Sequence, residues 1–200
     1  MPVENPLLSK INAETPEYEP KWNLLKKLDS EWIGYVNGTN GFYYKWLAKA
    51  VSVLKPQNIL ELGTYTGTST IMMYGEMGQD ATLTSVDTVR DHRFIPDIMR
   101  EDCRVRFVIG NDLDLSVYGD TAPQNVDFLF VDTEHSARQA TAEWNLYRHK
   151  LVTNALVAFD DIKLNDMPKF WEKLPEPKFD LSKLCHYSGF GVILYSQPTG

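Results

Sequence analysis

The chain has little of several things. Cysteine occurs twice in 200 residues, at Cys103 and Cys185. One pair cannot staple a fold of this size, and neither residue stands in a C-x-x-C or Cys/His spacing for zinc. The expectation is two reduced thiols in a cytoplasmic protein. No apolar run approaches the ~18 to 20 residues of a membrane helix, and the opening Met1-Pro-Val-Glu-Asn-Pro carries charge and proline where a signal peptide would be apolar. Positive charge is also scarce: 20 Lys and Arg against 27 Asp and Glu give a formal net charge of −7 without a basic cluster. A phosphate backbone needs concentrated positive charge, so nucleic acid is not the expected partner. What remains is an ordinary globular composition, 43% hydrophobic and 24% charged, enough for one core without disulfides.

Residues 1 to 20, with Pro2, Pro6, Pro16 and Pro20, read as an irregular leader. Lys21 to Trp32 is weakly helical through Trp22, Leu25, Leu28 and Trp32, and the run from Gly34 to Gly41 breaks it. A second helix carries Trp46, Leu47, Ala50, Val51 and Leu54 on one face and closes at Pro56. Then strand and helix signals alternate. Strands are expected at Asn58–Leu62, Thr82–Val86, Val105–Ile109, Val126–Val131 and Ala155–Phe159. Helices are expected at about Gly67 to Gly75, at Arg93 to Arg100, and along Ala137, Ala140, Trp144, Tyr147 and Leu151. Apolar strands alternating with helices make parallel βαβ units. Phe179–His186 and Phe190–Tyr195 are too closely linked for a crossover and should pair antiparallel. The expected fold is α/β: a Rossmann-like, doubly wound, mostly parallel seven-stranded sheet with a C-terminal antiparallel hairpin. The chain reads as one domain over residues 1–200, with about 1–40 an N-terminal extension that serves as a lid or a dimer contact.

Ligands of such sheets bind beyond the carboxyl ends of the strands. Polar residues gather there: Glu61, Gly63, Thr64, Tyr65 and Gly67 after the first strand, Asp87 after the second, Asn111 and Asp112 after the third, Asp132 and His135 after the fourth, Asp160 and Asp161 after the fifth. One such aspartate is an ordinary cap or turn residue. Acids at nearly every strand end are harder to explain that way. The first loop lacks the second glycine of G-x-G-x-x-G, since position 65 is Tyr, and lacks the Gly-Lys-Ser/Thr of a triphosphate loop. Asp87, at the end of the second strand, is placed to accept both hydroxyls of a ribose. The loop suits a nucleoside without phosphates.

Ile59-Leu-Glu-Leu-Gly63-Thr-Tyr-Thr-Gly67 with Asp87 and the terminal hairpin resembles the class I S-adenosylmethionine-dependent methyltransferases, over roughly Asn37 to Tyr195. The resemblance implies that Glu61, Gly63, Thr64, Tyr65 and Ser69 serve the methionine end of the cofactor. It implies that Asp87 and Thr88 serve the ribose, that Asp112 lies beside the adenine, and that Asp132 borders the site. Asn37 and Gly38 match a segment that closes over the cofactor in related enzymes.

Asp132, Asp160 and Asp161 stand at two strand ends separated by one crossover helix. Gathered carboxylates are relieved by a hard divalent cation, Mg2+ first, with Ca2+ or Mn2+ as alternatives. The pattern is similar to that of the catechol and caffeoyl-CoA type O-methyltransferases, with Asp161 where those carry Asn, and to bacterial antibiotic-pathway methyltransferases with all-carboxylate sites. The resemblance implies that two vicinal acceptor oxygens chelate the metal and that an ionised hydroxyl attacks the methyl group. His135 stands where the catechol type has a catalytic Lys, and an ordinary imidazole accepts a proton near neutral pH. His92, His149 and His186 read as surface or packing residues. The expected partner is a small hydroxylated acceptor, with a homodimer as an open alternative. Three other readings stand beside O-methylation: a non-catalytic S-adenosylmethionine-binding module, a nicotinamide oxidoreductase, and a metal-dependent hydrolase or hydroxylase. An iron site of the last kind would want two histidines, and only His135 is expected nearby.

Overall fold

The computed structural model describes residues 5–21, 23–26, 30–89, 91, 93–196. Its elements run α1 (Pro6–Glu14), α2 (Ser30–Asn37), α3 (Phe42–Leu54), β1 (Asn58–Leu62), α4 (Thr68–Glu76), β2 (Thr82–Asp87), α5 (Asp97–Arg100), β3 (Val105–Ile109), β4 (Val126–Val131), α6 (Ala137–Tyr147), β5 (Leu151–Asp160), α7 (Met167–Lys173), β6 (Lys178–Asp180) and β7 (Phe190–Leu194). The sheet has seven strands in the order β3-β2-β1-β4-β5-β7-β6. β1 to β5 are parallel, and β7 pairs antiparallel with both β5 and β6. This is the expected α/β architecture.

Burial on both faces explains why the strands read as continuous apolar runs. In β4, Phe128 and Phe130 pack on one side with Trp46, Leu47 and Met72. Leu129 and Val131 pack on the other with Trp144, Tyr147 and Phe170. The order reverses beside β1, where β2 lies on one side and β4 on the other, so a crevice opens between the first loop and the end of β4.

Several local expectations are corrected. The leader is not irregular: α1 begins with Pro6 at its first turn and Asn5 as cap, whose Oδ1 accepts the N–H of Leu7 at 3.0 Å. Proline there supplies the helical φ and gives up an N–H that has no intrahelical partner. The first helix of the pair does not run from Lys21 to Trp32 and break at Gly34; α2 starts at Ser30 and passes through Gly34 to Asn37. Glycine costs a helix only about 1 kcal/mol against alanine. Buried Val36 and the edge contact of Trp32 with Phe94, 5.7 Å between ring centroids, offset that cost. Trp22, Leu28 and His92 lie outside the described residues. Arg93 to Arg100 is helical only from Asp97, with Pro96 itself extended at φ −72° and ψ 155° as its cap. Leu151 opens β5 opposite Val126 instead of ending α6. The sixth strand ends at Asp180, whose Oδ1 accepts the Ser182 N–H at 2.9 Å and turns the chain.

Candidate active site

The loop after β1 is fixed from below. Gly63 has φ 94°, its N–H bonds the Val86 carbonyl at 2.8 Å, and a Cβ there would stand 1.8 Å from the Asp132 carbonyl oxygen. Glycine is required because the loop rests on the end of β4. Beneath it, the Glu61 carboxylate accepts hydrogen bonds from Ser69 Oγ, Thr70 Oγ1 and Ser85 Oγ, each at 2.5 Å. Thr64 Oγ1 meets Ser85 Oγ at 2.5 Å. Burial pushes the Glu61 carboxyl up to about 7, against the lowering effect of the three hydroxyls. The side chains of Glu61, Thr64 and Ser69, expected to touch a cofactor, are thus turned into the protein, where they set the shape of the loop.

Above the loop lies a cleft of ≈ 560 Å³ at the carboxyl ends of the strands. Gly63, Tyr65, Asp87, Thr88, Asp112, Asp132 and His135 are among the residues that line it. Asp87 accepts the N–H of Tyr65 at 2.7 Å and of Val89 at 2.9 Å, which fixes its carboxylate and leaves lone pairs for two ligand hydroxyls. Asp112 is 7% exposed, and its Oδ2 is buried without a hydrogen-bond partner. Asn37 and Gly38 end α2 and start the next turn; neither is among the residues lining this cleft. A second cavity, ≈ 710 Å³, opens near Asn58, Thr82 and Val126 at the amino ends of the strands, away from the acidic residues.

Beside Asp132 the structure assembles carboxylates with imidazoles. The groups whose ligand atoms converge among the described residues are Asp132, His135 and Asp160, and Asp160, Asp161 and His186. The three aspartates therefore share their site with two histidines and do not form the all-carboxylate cluster expected. His135 Nε2 is 2.8 Å from Asp132 Oδ1, and its Nδ1 is 3.4 Å from Asp161 Oδ2. His186 Nε2 is 2.8 Å from Asp160 Oδ1, and its Nδ1 is 2.9 Å from Ser188 Oγ. Burial alone would lower His135, but its hydrogen bond to Asp132 and the charges of Asp132, Asp161 and Asp160 together raise it to about 9. The pairing with Asp132 favours the protonated ring over the free base that an ordinary pKa would leave. Burial and the charge of Asp132 push Asp160 up to about 7, with His186 pulling the other way.

His186 is the residue that the sequence reading missed. Taken as a hairpin strand position, it looked like packing; with the strand ended at Asp180, the chain folds back and buries the imidazole on Asp160. The count of one histidine near the cluster is corrected to two among the described residues.

A family model described as a methyltransferase domain matches residues 60–162. The chain belongs to that family. The matched segment runs from β1 through the end of β5 and so contains the loop, Asp87, Asp112, Asp132, His135, Asp160 and Asp161 of this methyltransferase domain. A Dictyostelium discoideum protein named "probable caffeoyl-CoA O-methyltransferase 3" is 26% identical over 138 residues, covering 62% of this chain and 51% of that protein. The chain thus spans about half the length of the curated relative it matches. Solved structures share the fold. An O-methyltransferase from Bacillus cereus in complex with SAH superposes with a TM-score of 0.57 at 21% identity, covering 96% of this chain and 92% of the other. An O-methyltransferase of tomaymycin synthesis from Streptomyces achromogenes, in complex with SAM, gives 0.60 at 20% identity over 97% and 91%. A Podospora anserina methyltransferase with SAH bound gives 0.61 at 17% identity over 97% and 89%.

Proposed function

We propose that this methyltransferase domain transfers the methyl group of S-adenosylmethionine to a hydroxyl of a small hydroxylated acceptor, assisted by a divalent cation. The observation that carries the reading is one cleft bounded by Asp87 at one end and by the Asp132–His135 cluster at the other. A ribose carboxylate and a nucleophile-activating cluster on the same cavity suit a nucleoside cofactor delivering its group toward the cluster. Asp112 lines the same cleft, where its carboxylate supports an adenine neighbour that donates an N–H. The family match and the SAM- and SAH-bound relatives support the same cofactor.

Asp87 takes the ribose hydroxyls, and the bare backbone at Gly63 with the exposed ring of Tyr65 borders the rest of the nucleoside. The cofactor supplies an electrophilic methyl group on a sulfonium leaving group. The domain's own part would be to hold an acceptor hydroxyl at near-attack distance from that methyl group and to take up the hydroxyl's proton at a carboxylate of the cluster. Asp132, Asp160 and Asp161 would hold the cation, with His135 and His186 as nitrogen donors. Such a cation lowers the pKa of a chelated hydroxyl. The residues fit a divalent ion: donor atoms of Asp132, His135 and Asp160, and of Asp160, Asp161 and His186, converge in two groups that share Asp160. The mixed nitrogen and oxygen donor set ranks Mn2+ ahead of the Mg2+ that carboxylates alone would favour. Tyr35 and Tyr187 supply exposed rings near the cluster for the acceptor to pack on. With two histidines at the cluster, the donor count no longer argues against an iron hydroxylase; the cofactor loop and the family do. No helix among the described residues is long and apolar enough to cross a membrane.

The test is calorimetric titration with S-adenosylmethionine, with Mn2+, with Mg2+ and after chelation. Micromolar cofactor binding with metal-dependent turnover of a catechol-like diol is the expected result. A protein that binds no S-adenosylmethionine under any of these conditions would sink the reading.

A further inference from the structure

Behind the wall of the cleft that carries Asp112, two carboxyl groups are buried together. Glu143 projects from the apolar face of α6, between Ala140 and Tyr147, and is 0% exposed. Its Oε1 accepts Thr133 Oγ1 at 2.6 Å and Gln139 Nε2 at 2.9 Å. The same Gln139 nitrogen reaches Asp112 Oδ1 at 3.3 Å, so one amide bridges both acids. Each acid keeps one buried oxygen without a donor, Asp112 Oδ2 and Glu143 Oε2. The two carboxyls also interact with each other directly.

Two ionised carboxylates in that position would repel, and each would keep one buried oxygen unpaired. One shared proton removes both difficulties. The other groups facing the pair are Asp87, which adds negative charge, the backbone N–H groups of Asp112 and Leu113, Thr133, Gln139, and the hydroxyls of Tyr118 and Tyr147, the latter donating to the Asp112 carbonyl at 2.5 Å. None of these is a cation. The proton is therefore the group that holds the pair together.

We infer that Glu143 is a positioning residue of the cofactor site: it carries the proton of the pair, and so keeps Asp112 ionised and aimed at the exocyclic amino group of an adenine in the cleft. The inference rests on the proposed cofactor reading. Burial pushes both acids up, Glu143 to about 8, so the pair loses its proton on the alkaline side of neutrality. Singly protonated, the pair presents one fixed acceptor. Doubly ionised, it splays apart and Asp112 leaves its position. Binding that favours the protonated pair weakens as pH rises through that upper titration.

The probe is 5′-methylthioadenosine, which has the adenine and ribose but no amino-acid group to titrate. Its affinity is measured by calorimetry from pH 6.5 to 9.5 on the wild type, Glu143→Gln and Glu143→Ala. The wild type should hold constant affinity to about pH 7 and lose at least tenfold by pH 9.5. Glu143→Gln, whose amide donates permanently, should bind within about threefold of wild type at pH 7 and stay flat above it. Glu143→Ala should bind weakly at every pH. An alkaline limb in Glu143→Gln as steep as in wild type, or wild-type binding by Glu143→Ala, overturns the inference and leaves the cofactor site standing. A wild type that never binds the probe overturns the cofactor reading itself. Should the variants not fold, proton uptake on binding decides: the wild type at pH 8.5, measured in buffers of different ionisation enthalpy, should take up protons, and none taken up refutes the role. The same measurement in His135→Asn removes the other titrating group that lines the cleft.

Discussion

His186 Nε2 stands 2.8 Å from Asp160 Oδ1, with side chains only 5% and 7% exposed. Tyr43 packs edge-on against the imidazole at 5.0 Å between centroids, so the pair is sealed between α3 and the end of β5. A carboxylate so far from water depends on its partner. Removing the imidazole leaves an uncompensated buried charge, which costs about 3 kcal/mol or more. His186→Ala should lower stability by that amount in urea unfolding and weaken Mn2+ binding in the same protein. A variant as stable as wild type that binds Mn2+ equally well would show that His186 neither compensates Asp160 nor ligates.

Asp87 works on the loop as well as on the cleft. Its carboxylate holds the N–H groups of Tyr65 and Val89, so Asp87→Ala removes two backbone acceptors along with the proposed ribose contact. S-adenosylhomocysteine affinity should fall at least tenfold, about 1.4 kcal/mol or more. Asp87→Asn keeps one acceptor oxygen and should fall between the two. Calorimetry of the three proteins orders them, and equal affinities would remove Asp87 from the cofactor site.

Glu61 gives a pH dependence with a defined sign. Burial raises its carboxyl from 4.5 to about 7 in the folded protein, so the native state holds the proton more tightly than the unfolded chain. The stability that this proton contributes is complete below about pH 4.5 and is lost as pH climbs to about 7. Glu61→Gln does not titrate. Unfolding free energies at pH 5 and pH 8 should therefore drop more for wild type than for Glu61→Gln, and parallel curves would count against a buried, raised carboxyl.

The strands were legible because buried parallel strands are uninterrupted apolar runs, and β1 to β5 were each found within a few residues. The cleft was legible for the same reason: Asp87, Asp112 and Asp132 follow those runs directly. What was not legible depended on tertiary contact. Composition made the leader look irregular, while Leu8 and Ile11 bury one face of α1. Glycine at position 34 looked like a break, though nothing lies within 4 Å of the site and its neighbours fix the helix. His186 was hidden by an overlong strand. Glu143 carried a signal that went unused: an acid on the apolar face set by Ala140, Trp144 and Tyr147 is a buried charge that needs a partner.

Gly63 tests whether the loop geometry is imposed by β4. An alanine there needs φ near 94° and puts a methyl group 1.8 Å from the Asp132 carbonyl oxygen, a backbone atom that cannot swing aside. The loop would have to lift from the strand, pulling Tyr65 away from Asp87 and the Asp132 N–H away from the Leu62 carbonyl it bonds at 2.8 Å. Strain of this kind costs about 1 to 3 kcal/mol before the clash is counted. Gly63→Ala should lower the Tm by roughly 5 to 10 °C, on a scale of about 2 to 4 °C per kcal/mol for a chain of this size. Cofactor affinity should fall with it, because the lost contacts join the first loop to both walls of the cleft. Gly78→Ala, a glycine with nothing within 4 Å of a Cβ, is the control that should change neither. If Gly63→Ala matched that control, the close approach of the loop to β4 would not be what shapes the cleft.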